Sequence, residues 1–322
     1  VEPNPRITTV EKGVRLARQE GIEVLLAVGG GSVIDCAKAI SVAISYPGED
    51  LWRMIVGKPD TGPVVPLVTV LTVAGTGSES NKGYVISNWE TQEKRGSSSP
   101  HSMPKVSLLD PRYTCSVPPA QTASGTIDIM SHVLESYFKV TPDAYLQDRF
   151  AEAILKTCIH YGPIAFRDPE DLEARANLML ASGWALNGLT SNGKKGGSSC
   201  HPIEHVLSAY YDLTHGVGLA IITGPWMRYI LSEKTQWKFV EYGCNVWGIP
   251  RELPPQEIAM RAIESTEAFF GSFGLPMTLR QAGIHDTGNF EEIAEKAVAL
   301  GLRNAFVPLE TEDVVNILRN SF

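Results

Sequence analysis

The chain has 322 residues, 43% hydrophobic and 20% charged, a composition that argues against disorder and leaves room for two domains of ordinary size. Its formal net charge of -8 argues against a nucleic-acid footprint and against binding to an anionic membrane, while leaving small ligands open. Five cysteines without CxxC spacing argue against a disulfide framework; with no basic-then-apolar leader before Val1 and no apolar run of membrane-spanning length, they predict a cytoplasmic protein.

Residues 1–6, with Pro3 and Pro5, read as an extended lead-in. Over 7–20, Val10, Val14, Leu16 and Ala17 recur among charges at helical spacing, and Gly21 marks the end. The wholly apolar run 24–28 suits a strand buried on both faces of a parallel sheet. It leads into Gly29-Gly30-Gly31-Ser32 and then a helix over 36–44. Strand, glycine loop and helix in succession present free backbone N–H groups and a positive helix end to a phosphate, and the missing Cβ atoms allow close approach. The pattern is neither GxGxxG nor a P-loop, and a plain tight turn is the competing reading. A second apolar strand over 64–73 leads into Ala74-Gly75-Thr76-Gly77-Ser78-Glu79-Ser80-Asn81. Loops at the carboxyl ends of strands line the ligand crevice of an open parallel sheet, so two small-residue loops predict a nucleotide. Further strands are expected at 83–87 and 105–109, with 94–104 between them a mobile loop by composition.

After Asp110-Pro111 the periodicity becomes helical, over 120–138, 144–161, 171–189, 206–211, 218–231, 255–273, 290–299 and 312–318. The division is expected near Tyr113, with an α/β unit over 1–112 and a helical unit over 113–322. Three of the seven histidines fall in His201-Pro-Ile-Glu-His205 and the following His215-Gly216. His201 and His205 are one helical turn apart and share a face, as do Asp128 and His132 upstream. Two helices facing each other would bring one carboxylate and three or four imidazoles to a point, a ligand set for a divalent transition metal; chance clustering is the rival. Five side chains compete for it. Asp128, His132, His201 and His215 span two segments and can surround a point, which leaves His205 as a supporting or proton-relay residue. Cys200 adjoins His201 but points about 100° away on a helix. A nucleotide unit beside such a metal site predicts an enzyme working in the cleft between them.

The motifs at 29–35, 76–81 and 109–111, Asp128-x3-His132-x2-Glu135, and His201-x3-His205-x9-His215-Gly216 together resemble the iron-containing (group III) alcohol dehydrogenases, in their NADPH-dependent butanol dehydrogenase and broad-range aldehyde reductase branch. The resemblance implies a dehydroquinate-synthase-like fold, an N-terminal dinucleotide domain followed by a helical metal-binding domain. It implies iron(II) on Asp128, His132, His201 and His215, a ligand set that also suits zinc, and His205 beside the nicotinamide. It further implies that Gly30, Gly31, Ser32 and Asp35, with Thr72, Thr76 and Lys94, line a site for NADP or NAD. The substrate would be a small primary alcohol or aldehyde, and the working unit a homodimer or higher homo-oligomer. Members of that family carry a further amino-terminal segment before the part matching Val1, so the expectation is weak cofactor binding, poor discrimination between NADH and NADPH, and self-association over an incomplete sheet. Two alternatives stand: a same-fold polyol-phosphate dehydrogenase or cyclase, for which Lys194-Lys195 would be the anion-binding cluster, and a non-catalytic metal-binding remnant.

Overall fold

The computed structural model describes residues 1–59, 61–139, 141 and 143–322. Helix α1 (Ile7–Glu20) buries Val10 and Val14 and stops at Gly21, whose φ of 62° is the left-handed conformation glycine adopts without penalty. Then come β1 (Leu25–Gly29), α2 (Gly31–Ile44), α3 (Leu51–Gly57), β2 (Leu67–Leu71), β3 (Gly83–Asn88), β4 (Glu93–Ser98) and β5 (Val106–Leu108). The two apolar runs pair in parallel as expected, and β5 joins them in the order β1-β2-β5.

Two expectations fail here. The polar stretch from Lys94 is not a loop at its start: β4 pairs antiparallel with β3, placing Lys94 opposite Ser87 and Arg95 opposite Ile86. Its Lys, Arg, Gly and Ser have low strand preference, and partner pairing overrides that preference. Nor is the parallel sheet buried on both faces. Ala27, Leu67 and Leu71 pack on Ile34 of α2 and on Met179, while Leu26, Val28, Val106 and Leu108 on the other face are 50–65% exposed. The register lines these up as Leu26-Val68-Val106 and Val28-Val70-Leu108, a continuous apolar face.

The helical unit comprises α4 (Pro119–Tyr137), α5 (Tyr145–Arg167), α6 (Leu172–Leu186), α7 (Cys200–Tyr211), α8 (His215–Ile230), α9 (Gln236–Val246), α10 (Pro255–Gly271), α11 (Phe290–Ala299) and α12 (Thr311–Asn320). The expected helices are all present; α3 and α9 are additional, and α7 begins at Cys200 rather than at 206. Its core is aromatic, with Phe138 in edge or tilted contact with Trp226, Phe239, Tyr242 and Phe306. No helix among the described residues is long and apolar enough to cross a membrane.

All five cysteines are free thiols, and Cys36, Cys158 and Cys200 are buried. Burial pushes the Cys36 thiol up to about 11 and holds those of Cys158 and Cys200 above the ordinary thiol range. Since the thiolate is the reactive form, a disulfide-exchange reagent should label only Cys115 and Cys244 in the native protein and all five in denaturant. Rapid native labelling of three or more would contradict this packing.

Candidate metal and cofactor site

Asp128 and His132, one turn apart on α4, project together, and His132 Nε2 lies 3.3 Å from Asp128 Oδ1. His201 stands in the first turn of α7 and His215 opens α8. Their Nε2 atoms lie 3.8 and 3.6 Å from the same Asp128 Oδ1. One ligand atom from each of the four residues falls within 4.8 Å of all the others. The His132 and His201 rings stack with centroids 4.1 Å apart.

Asp128 Oδ1 and His201 Nε2 are buried and have no hydrogen-bond partner. Such orphans cost about 1–3 kcal/mol each, and a cation among them would satisfy both, so the residues present fit a metal. The electrostatics agree. Burial alone would raise the Asp128 carboxyl, but His132, His215 and His201 hold it well below the usual carboxylate range. Burial, with His201 beside it, pushes His132 down to about 3, so its imidazole is neutral, the form that ligates. Burial opposes charge on His201 as well, yet Glu135 and Asp128 hold it up at about 10. Two carboxylates thus draw positive charge to this point.

A second convergent set, Glu204, His205 and His215, shares one imidazole with the first. Its carboxylate is already engaged: Glu204 accepts hydrogen bonds from Ser208 Oγ and His215 Nδ1 and faces Lys94 Nζ at 3.3 Å. The tetrad with Asp128 is therefore the better cation site. His205 sits with its ring centroid 6.0 Å from that of His201 and 5.6 Å from that of His215. Burial, with Lys94 nearby, holds it well below its ordinary value, so it is neutral.

These histidines open onto a cavity of about 690 Å³ whose wall also includes Gly31, Ser32, Asp35, Thr76 and Lys94. No side chain caps the N-terminus of α2, so its first N–H groups remain for an anion. Gly31 has a second reason to be glycine: a Cβ there would sit 2.2 Å from Thr76 Oγ1, so a side chain would force the two loops apart. Gly30 caps α2, and Thr72 donates its N–H to Gly29 O; neither lines the cavity. Asp35 does line it, but its oxygens accept from Ser78 Oγ and Val85 N, which ties α2 to the second loop and to β3. Ser182 of α6 accepts from Gly75 N and Gly77 N, so the helical unit holds that loop in place.

Sequence reasoning assigned no role to three residues here. Glu135 lies 2.9 Å from His201 Nδ1 and accepts from the backbone N–H groups of Ser199 and His201. Glu204 contacts His215, and Asn4 accepts from Lys94 Nζ while donating to Leu213 O. The position of Glu135 three residues after His132 was a usable signal; Asn4 and Glu204 offered none. The Lys194 ammonium is engaged by Asp148 and the Ser136 carbonyl, so this half of the Lys194-Lys195 cluster is already paired.

Residues 1–111 match the family model described as iron-containing alcohol dehydrogenase, and 122–322 match that of the C-terminal part of the Fe-containing alcohol dehydrogenase family. NADH-dependent butanol dehydrogenase A of Clostridium acetobutylicum is 51% identical over 324 residues, covering 100% of this chain and 83% of the relative. The NADPH-dependent aldehyde reductase YqhD of Escherichia coli is 39% identical over 286 residues, covering 88% of this chain and 73% of the relative. The crystal structure of NADH-dependent butanol dehydrogenase A from Thermotoga maritima superposes with a TM-score of 0.92 at 36% identity, over 100% of this chain and 82% of that one.

Proposed function

The chain belongs to the iron-containing alcohol dehydrogenase family, whose members are NAD(P)-dependent enzymes, and from that premise we propose that it interconverts small primary alcohols and aldehydes by hydride exchange with a nicotinamide, using a divalent metal held by Asp128, His132, His201 and His215. The supporting observation is the convergence of these four ligand atoms on a cavity that reaches the uncapped N-terminus of α2. When bound, the metal supplies Lewis acidity at the substrate oxygen and the nicotinamide carries the hydride. The chain's own residues do the rest. Gly31, Ser32 and Thr76 offer a pyrophosphate backbone N–H groups and a hydroxyl, while Asp35 holds that loop pair to β3. His205, neutral and on the cavity wall, is placed to take or give a proton at a ring nitrogen.

The division into an α/β unit over 1–112 and a helical unit over 113–322 is part of this reading, supported by the absence of strands after β5 among the described residues. Iron(II) fits the three-nitrogen, one-oxygen set; zinc fits equally and binds more tightly at equal supply, so the metal recovered should follow the supply. Free thiols support a cytoplasmic location. The open apolar sheet face supports a homodimer or higher homo-oligomer, which a purely monomeric sedimentation profile would remove.

The metal-loaded protein should consume NADH or NADPH when given butanal, read as loss of reduced-nicotinamide absorbance. No consumption of either cofactor across a series of straight-chain aldehydes would overturn the activity. His205→Ala should keep full metal content yet lower turnover by about 10²-fold or more, with an altered pH profile. Metal loss in that variant would instead make His205 a ligand.

A further inference from the structure

We propose that Glu204 is a positioning residue that fixes the metal-facing imidazole of His215 and the cofactor-side Lys94 with one carboxylate, an inference that rests on the metal-site reading above. Glu204 lies on α7 with no exposed surface. Its Oε2 accepts from His215 Nδ1 and its Oε1 from Ser208 Oγ, while Lys94 Nζ stands 3.3 and 3.5 Å from the two oxygens. A fully buried carboxylate is tolerated only when it is paired and hydrogen-bonded, and two of its three partners here, His215 and Lys94, line the cavity.

The consequence for His215 is geometric. A neutral imidazole that donates from Nδ1 presents its lone pair at Nε2, and Nε2 is the atom that faces Asp128 Oδ1 at 3.6 Å. Glu204 therefore sets both the tautomer and the ring plane of one ligand. It also catches the lysine that reaches across from β4, whose remaining contacts are Asn4 Oδ1 at 3.0 Å and His215 Nδ1 at 3.4 Å. The α/β unit and the metal helices thus meet at this carboxylate. Space for it comes from α8: a Cβ on Gly218 would lie 2.8 Å from Glu204 Cγ.

A merely structural ion pair with Lys94 would predict something different, and cobalt(II) separates the two. In the cobalt-loaded protein the visible ligand-field bands report the geometry of the ligands, and chelator competition reports affinity. Glu204→Gln should shift the bands and weaken cobalt binding by about 10–100-fold while the far-ultraviolet circular dichroism stays native. Lys94→Met, which removes the pair but leaves His215 its acceptor, should keep the wild-type bands and affinity while weakening reduced-nicotinamide binding. Unchanged bands and affinity in folded Glu204→Gln would overturn the inference, and so would an equal loss in Lys94→Met. Should Glu204→Gln fail to fold, Gly218→Ala carries the test, since it keeps the charge but displaces the carboxylate; native bands there would also overturn the inference. Wild-type protein that takes up no cobalt would overturn the metal-site reading itself, a result distinct from the others.

Discussion

His201→Ala should lower metal content from near one ion per chain to near zero, with activity lost to the same extent. The side chain has three roles at once. It supplies the Nε2 aimed at Asp128, it stacks on His132 at 4.1 Å, and its Nδ1 faces Glu135 at 2.9 Å. Removing it takes away a ligand, leaves a second ligand unsupported, and leaves the buried Glu135 carboxylate without its imidazole partner. The fall in metal affinity should therefore exceed the roughly 10–100-fold expected when an outer partner is changed. Uncompensated buried charge adds a stability loss of about 3–5 kcal/mol, visible in thermal unfolding. Elemental analysis after dialysis measures the first effect, and full occupancy in a folded variant would remove His201 from the ligand set.

How much of this could be read in advance depended on where each signal resides. The pair Asp128 and His132 was legible because spacing on a single helix fixes which side chains share a face. His201 and His215 were legible as a cluster, although the Asp128 Oδ1 on which they converge belongs to another helix. The strand and glycine-loop succession was visible because buried strands and tight turns restrict composition locally. Lys94 reads as part of a loop in the sequence, since what makes 93–98 a strand is the partner β3 and not its own residues. Asn4 read as part of an extended lead-in, yet it donates to Leu213, 209 positions away, and accepts from Lys94. Glu204 was least legible of all: an acidic residue between two histidines reads as solvent-facing until the tertiary fold surrounds it. The run 24–28 misled in the opposite direction. A wholly apolar strand signals two covered faces, and here helices cover only one. The short α3 carries a local cue of its own, Asp50 accepting from the Arg53 N–H as an N-cap.

Phe138→Ala should be the most destabilising single change away from the metal, by roughly 3–5 kcal/mol. Phe138 closes α4, the helix that carries Asp128 and His132, and is 1% exposed. Its ring meets four aromatic neighbours drawn from α8, α9 and the segment before α12, so truncation opens a cavity that several helices would have to collapse to fill. Phe138→Leu, which keeps most of the volume, should cost clearly less. The site tells whether this core and the metal centre act independently. Metal bound only to the folded chain adds about 4 kcal/mol at a free concentration 1,000 times its dissociation constant. If α4 is held at its ligand end by contacts with α7 and α8, wild type and Phe138→Ala should gain that same increment when metal is added, since Asp128 lies several turns from the cavity. A metal increment that vanishes in Phe138→Ala would mean that the aromatic cluster, and not the helix itself, sets the positions of Asp128 and His132.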